Sequence, residues 1–246
     1  METLKRDYQS KGETMKIGII FAMEEELKEL LKLVTLEQEY KIFDISFYEC
    51  KLGDNQLVLA ESGVGKVNAA RCTQILIDNM QVDYIFNIGV AGSVSWKVKV
   101  CDIVIGEKLV QHDFDITAFN HEKGYIPNIG GVYIDSDPYL LKIAEKTKVD
   151  TKVHKGVIAS GDIFCTEEAM SNKIAHKFDA LCVEMEGASI AQVCYLSHIP
   201  FLVIRSISDS PNGSDNKLTY DEFLEISSKK VAKYLKNIIE NLSKES

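Results

Sequence analysis

Short, uniformly apolar runs recur along the whole chain, and most are followed by a segment with helical spacing. This alternation constrains the fold more than any other feature. Residues 16–22 (KIGIIFA) read as a strand buried on both faces, and 23–34 (MEEELKELLKLV) place apolar residues at helical intervals. Residues 40–50 (YKIFDISFYEC) and 56–62 (QLVLAES) read as paired strands, 67–80 as a helix and 83–89 (DYIFNIG) as another buried strand. Residues 102–109 continue the sheet. The second half repeats the pattern, with strands at 154–161, 181–185 and 200–208, helices at 166–178 and 186–196, and a closing helix from about Thr219. Such alternation builds βαβ units and an α/β fold.

Residues 111–131 break the rhythm with aromatics, Pro127 and a Gly/Asn-rich end, so they read as an irregular excursion of the kind that carries function or an interface. Residues 1–14 are polar and aperiodic, and are expected to be a disordered leader or tag-like extension. Residues 15–246 are expected to form one domain, which 46% apolar residues and only four prolines can support.

A net charge of −9, with guanidinium only at Arg6, Arg71 and Arg205, argues against a nucleic-acid surface. No run approaches the roughly 20 apolar residues that span a bilayer, and no signal-peptide pattern opens the chain, so a cytoplasmic protein without membrane partners is expected. The six cysteines form no C-x-x-C pair and the five histidines are dispersed. Reduced, mostly buried thiols and no metal site follow.

In open α/β sheets ligands lie beyond the carboxyl ends of strands, and polar clusters fall at such ends here. Ala22-Met23-Glu24-Glu25-Glu26 opens a helix, where acids also simply complement the helix dipole. Glu61 to Lys66 (ESGVGK) is a Gly-rich turn without Walker spacing, and Asn87 to Gly92 (NIGVAG) reads as a second turn of small residues. Ser160 to Cys165 (SGDIFC) sets Phe164 just past a strand, available to stack on a planar base or to join the core. Val183-Glu184-Met185-Glu186 puts two acids in an apolar junction, where unpartnered carboxylates are costly, so one is expected to bind hydroxyls or cap a helix. Arg205 to Asp209 (RSISD) is open to two readings, a site or an ion pair closing the sheet.

In this order and spacing AMEEE, SGVGKVNAA, NIGVAG, SGDIF, VEMEG and RSISD resemble the methylthioadenosine/S-adenosylhomocysteine nucleosidases of the purine nucleoside phosphorylase superfamily, from Met15 nearly to the C-terminus. The resemblance implies a three-layer αβα sandwich around a twisted mixed sheet, a homodimer, and no cofactor. The implied reaction is hydrolysis of the N-glycosidic bond of 5'-methylthioadenosine and S-adenosylhomocysteine, with 5'-deoxyadenosine a third candidate, in purine and methionine salvage. It makes Asp209 the acid at adenine N7, Glu26 the base orienting water near Arg205, and Glu186 the acceptor for ribose hydroxyls, with Met185 against the sugar. Phe164 stacks on adenine and the backbone at Cys165 reads its edge, while Ala22 and Val64 line the pocket. Val90, Val183, Glu184 and Ser208 join the substrate-binding set, and Tyr220 stands on a lid. Phe119, His121 and Pro127 correspond to a segment reaching a neighbouring subunit's 5' pocket.

Two departures bear on the 5' substituent: Val90 stands where relatives often carry Ser or Thr, and His121 where some have Tyr. A phosphorylase is the rival, but Glu24 to Glu26 and Asn87 occupy places where such enzymes need cations for phosphate. An AMP nucleosidase would need a cationic 5' pocket that the sequence does not offer. Two further readings are a futalosine-type nucleosidase and a non-catalytic nucleoside-binding relative.

Overall fold

The computed structural model describes residues 14–209 and 220–245, and of residues 220–222 and 245 the backbone alone. The strands are β1 (Lys16–Phe21), β2 (Thr35–Ile42), β3 (Ile45–Leu52), β4 (Asn55–Glu61), β5 (Tyr84–Ser93), β6 (Ile103–Gln111), β7 (Ile134–Asp135), β8 (Val153–Ser160), β9 (Ala180–Glu184) and β10 (Phe201–Asp209). The helices are α1 (Glu24–Leu31), α2 (Lys66–Asp78), α3 (Pro138–Lys146), α4 (Glu168–Phe178), α5 (Gly187–Leu196) and α6 (Tyr220–Glu245).

The sheet is mixed. β4, β1, β5 and β10 run parallel side by side, β2 and β3 extend it as antiparallel strands, and β6, β8 and β9 complete it. Because β10 also pairs antiparallel with β6, and β9 antiparallel with β5, the strands β10, β6, β8, β9 and β5 close into a ring. Helices α2 and α5 pack against each other, while α1 and α3 pack on α6. Two large clusters fill the spaces between helices and sheet. One joins Ile20, Val58, Leu76, Ile190 and Val203, and the other joins Ile17, Phe21, Phe86, Ile204, Tyr234 and Ile238. Residues of β1 enter both clusters, on opposite faces of the sheet, which is why its sequence carries no polar face. The result is three layers, αβα.

Several local expectations change. The stretch 40–50 is not one strand, because Phe43 adopts φ 54 and turns the chain between β2 and β3. The first helix stops at Leu31 instead of running to residue 34, and β2 begins at Thr35. Asn87 to Gly92 is not a turn; β5 continues through it to Ser93, paired with β10 as far as Gly92. Helix α3 is an addition to the expected elements. Asp137 caps it through bonds from the N–H groups of Tyr139 and Leu140, with Pro138 in its first turn. The excursion at 111–131 holds one 3-10 turn at Thr117–Phe119 and an isolated bridge between Ile126 and Gly131. The expected leader lies outside the described residues up to position 13.

Among the described residues no helix is long and apolar enough to cross a membrane, and no group of three or more His, Cys, Asp or Glu could hold a metal ion. All six cysteines are free; Cys50, Cys72, Cys182 and Cys194 are buried, and Cys101 and Cys165 are half-buried.

Candidate active site

An open cleft of about 750 Å³, solvent at its mouth included, lies beyond the carboxyl ends of β1, β8, β9 and β10, with residues 88–92 of β5 along its wall. It brings together Ala22, Glu26, Val64 and Val90 from the first half of the chain. From the second half it gathers Phe164, Cys165, Val183, Glu184, Met185, Glu186, Arg205, Ser208 and Asp209.

At one end Arg205 is buried among three acids, Glu26, Glu184 and Glu186. Its Nη2 bonds Glu184 and donates to Asn87 Oδ1 at 2.6 Å, and lies 3.8 Å from Glu186 Oε2. Glu184 also accepts from Ser160 Oγ and from the N–H groups of Glu186 (3.2 Å) and Gly187 (2.7 Å) at the start of α5. Its carboxylate is therefore fully engaged inside the protein, as helix cap and as partner of Arg205. Both acids of the VEME junction line the cleft; Glu186 has fewer partners, with Oε1 held by the N–H of Gly65 at 2.9 Å. An Arg205–Asp209 pair closing the sheet does not form; Arg205 pairs with Glu184.

Glu26 is fixed by its place in the first turn of α1. Oε2 accepts from the N–H groups of Ala22 (3.0 Å) and Met23 (3.2 Å), and Oε1 from Val90 N–H at 3.1 Å. Glu24 and Glu25, by contrast, are exposed, and Glu24 pairs with Lys28. The dipole reading suits those two. A methyl group built on Gly89 would sit 2.7 Å from Glu26 Oε1 and 2.9 Å from Arg205 Nη1. Nη1 is buried and has no hydrogen-bond partner among the described residues. Glu26 Oε1 and the unpartnered Arg205 Nη1 thus converge over one glycine, in space that any larger residue there would need.

Burial pushes the Glu26 carboxyl above its ordinary range, against the opposing pull of Arg205 and three backbone N–H groups. Burial, reinforced by the neighbouring Glu184 charge, pushes Glu186 up to about 7. With one guanidinium among three acids, this end carries net negative character. It favours a cation forming between the acids and repels an anion.

The other end is more open. Asp209 is half-buried; Oδ1 accepts from Ser208 Oγ at 2.8 Å, and a methyl group on Gly92 would lie 3.2 Å from Oδ2. Phe164 is 65% exposed and lines the cleft with Cys165, so it is a cleft residue and not a core one. Val64 is 50% exposed at the rim.

The sequence reading gives no role to Met23, Ile88, Gly89, Ala91, Gly92 or Ile163, which also line the cleft. Treating Asn87 to Gly92 as a turn hides the glycines, whose value is that their missing side chains leave room for Glu26, Arg205 and Asp209. Phe119, His121 and Pro127 do not enter this cleft. Phe119 is 77% exposed, His121 stacks on Tyr125 with ring centroids 4.3 Å apart, and Pro127 is exposed. The side chain of Tyr220 lies outside the described residues.

A family model described as the Phosphorylase superfamily matches residues 16–240. The chain is 40% identical over 232 residues to a 5'-methylthioadenosine/S-adenosylhomocysteine nucleosidase of Exiguobacterium, covering 93% of this chain and 99% of the relative. It is similar to the S-adenosylhomocysteine nucleosidase of Streptococcus pyogenes solved with 5-methylthiotubericidin. That structure gives a TM-score of 0.85 at 36% identity, over 93% of this chain and 98% of the other. The futalosine hydrolase of Helicobacter pylori gives the same TM-score at 35% identity, over 92% and 98%.

Proposed function

This chain belongs to the phosphorylase superfamily, and from that premise we propose that it hydrolyses the N-glycosidic bond of 5'-thio-substituted adenosines, methylthioadenosine and S-adenosylhomocysteine, to adenine and the thio-substituted ribose. The observation that carries the choice of water over phosphate is the Arg205 end of the cleft. Among the described residues the single cationic side chain lining it is already paired with Glu184, and Glu26 and Glu186 stand beside it. A phosphate nucleophile would meet three acids there.

Within this reading a water bound between Glu26 Oε1 and Arg205 Nη1 is oriented toward the anomeric carbon, and a carboxyl with a raised pKa suits a general base near neutral pH. Glu186 accepts from the ribose hydroxyls, Met185 lies against the sugar, and the negative field of the acids stabilises the oxocarbenium-like transition state. Asp209 protonates N7 so that adenine leaves neutral, and Phe164 stacks on the base. Glu184 acts through Arg205, holding the guanidinium in place. Val90 contributes its backbone N–H to Glu26, which makes the missing hydroxyl at that position tolerable for the chemistry.

The same reading extends to a homodimer in the cytoplasm serving methionine salvage, with residues 15–246 as one domain. Phe119, His121 and Pro127 then belong to the neighbouring subunit's pocket, in keeping with the exposure of Phe119 away from its own cleft.

The test is adenine release from methylthioadenosine by purified protein, first without phosphate and then with it. Release without phosphate, with free methylthioribose as co-product, is expected; release that requires phosphate overturns the hydrolase reading. No release in either buffer shifts the substrate to another purine nucleoside, futalosine first.

A further inference from the structure

The loop between β8 and α4, residues 161–167, carries Ile163, Phe164 and Cys165 into the cleft, yet most of its residues are exposed. Cys165 packs against the cluster of Val94, Val110 and Phe178, and the loop is otherwise tied down by polar contacts. Asp162 N–H donates to Asp113 Oδ2 at 2.9 Å, and Asp162 Oδ1 accepts from Lys66 N–H at 2.8 Å. Lys66 Nζ closes the circuit by donating to Asp113 Oδ1 at 2.6 Å and to Gln111 Oε1 at 3.1 Å, and Gln111 in turn donates to Gln192 Oε1 on α5. The Lys66 and Asp113 side chains are only 16% and 17% exposed, so this ion pair is shielded from the screening that weakens surface pairs.

Two successive backbone N–H groups at the start of α2 therefore bind two different acids: Gly65 holds Glu186 and Lys66 holds Asp162. Any shift of that turn moves both walls of the cleft together. His112 reinforces the arrangement from beneath. Its N–H donates to Ser160 O, and its ring fills the space a Cβ on Gly161 would need, so only glycine fits where the loop leaves β8.

We propose that Lys66 and Asp113 are positioning residues that, through Asp162, set the Phe164 loop against Glu186. This rests on the reading of the cleft as an adenine nucleoside site. Neither side chain lines the cleft, so their effect should fall on base binding and not on the chemical step.

The experiment compares wild type with D113A and K66M, with D113N as a shape-preserving variant should the alanine form fail to fold. Hydrogen exchange of residues 161–167 is measured alongside kcat, KM and inhibition by adenine. Expected in D113A are faster exchange in that loop, KM and the adenine inhibition constant both raised about tenfold, equivalent to roughly 1.4 kcal/mol, and little change in kcat. D113A/K66M should be no worse than the more damaging single variant, because the pair acts as a unit. Unchanged exchange in the loop, or a loss confined to kcat, would overturn the proposal. A wild-type protein that releases no adenine would instead sink the substrate reading, and loop exchange alone would then decide whether the pair holds the wall.

Discussion

Around Arg205 every acid is buried and held by hydrogen bonds from the protein itself, whereas Asp209 is half-buried and shares the cleft with an exposed aromatic on a loop. The first region is made of β9, β10 and the starts of α1 and α5, elements that also carry the core. The second depends on the loop 161–167 and the rim at Val64. Their difference separates two tasks. The part that must resist reorganisation while charge develops is built into the fold, and the part that must admit and release a planar base is left accessible.

The largest expected effect is at the proposed catalytic pair. Asp209→Asn and Glu26→Gln should each lower kcat by about 10²- to 10⁴-fold while the protein stays folded and still binds adenine, as checked by steady-state rates and calorimetry. If Asp209→Asn kept near-normal turnover, the open end would lose its acid and the division of labour with it. Next is Arg205→Met, which leaves three buried acids without their cation. It should cost about 3–5 kcal/mol in urea unfolding, far more than any substitution at the exposed end.

A smaller effect concerns pH. Glu186 is raised to about 7 when folded, from 4.5. Its proton is bound more tightly in the folded state, so its stabilising contribution is full below about 4.5 and is lost as pH rises through about 7. Wild type should lose on the order of 2 kcal/mol across that window, and Glu186→Gln, which mimics the protonated form, should flatten the decline in unfolding curves at about pH 5 and 7.5. Smallest is Phe164→Ala, expected to raise KM about tenfold without changing stability, since its ring is mostly in solvent. A drop in thermal stability there would mean that the open wall is part of the core after all.

What is legible in the sequence follows burial. Strands such as β1 and β10 feed both core clusters, so their apolar runs declare them. Edge strand β2 has no fully buried residue, and its first part, TLEQE, reads as polar chain, since there backbone pairing with β3 makes it a strand, while Tyr40 and Ile42 pack on the core. Helix α3 is announced by Asp137-Pro138, a capping signal that is easily passed over beside the irregular excursion before it. The cleft residues come as short motifs at strand ends, legible one by one, and their company is supplied by the resemblance. The contacts among them are not legible: Glu184 with Arg205 spans 21 positions, Asp113 with Asp162 spans 49 and Gly65 with Glu186 spans 121. A linear pattern identifies acids that need partners without naming them. That is why the sequence leaves open which acid of the VEME junction caps the helix, a role that the bonds of Glu184 to the start of α5 fill.

Strand β10 is the last strand among the described residues, yet it lies between β5 and β6. During synthesis the earlier strands must wait for it with two unpaired edges open to other chains, and Glu26, Glu184 and Glu186 wait without their counter-ion. Completion of the sheet and assembly of the acid cluster are thus one event, and it comes late. A chain cut short before residue 201 should be unable to keep a partial site, and should be prone to association through the exposed β5 and β6 edges.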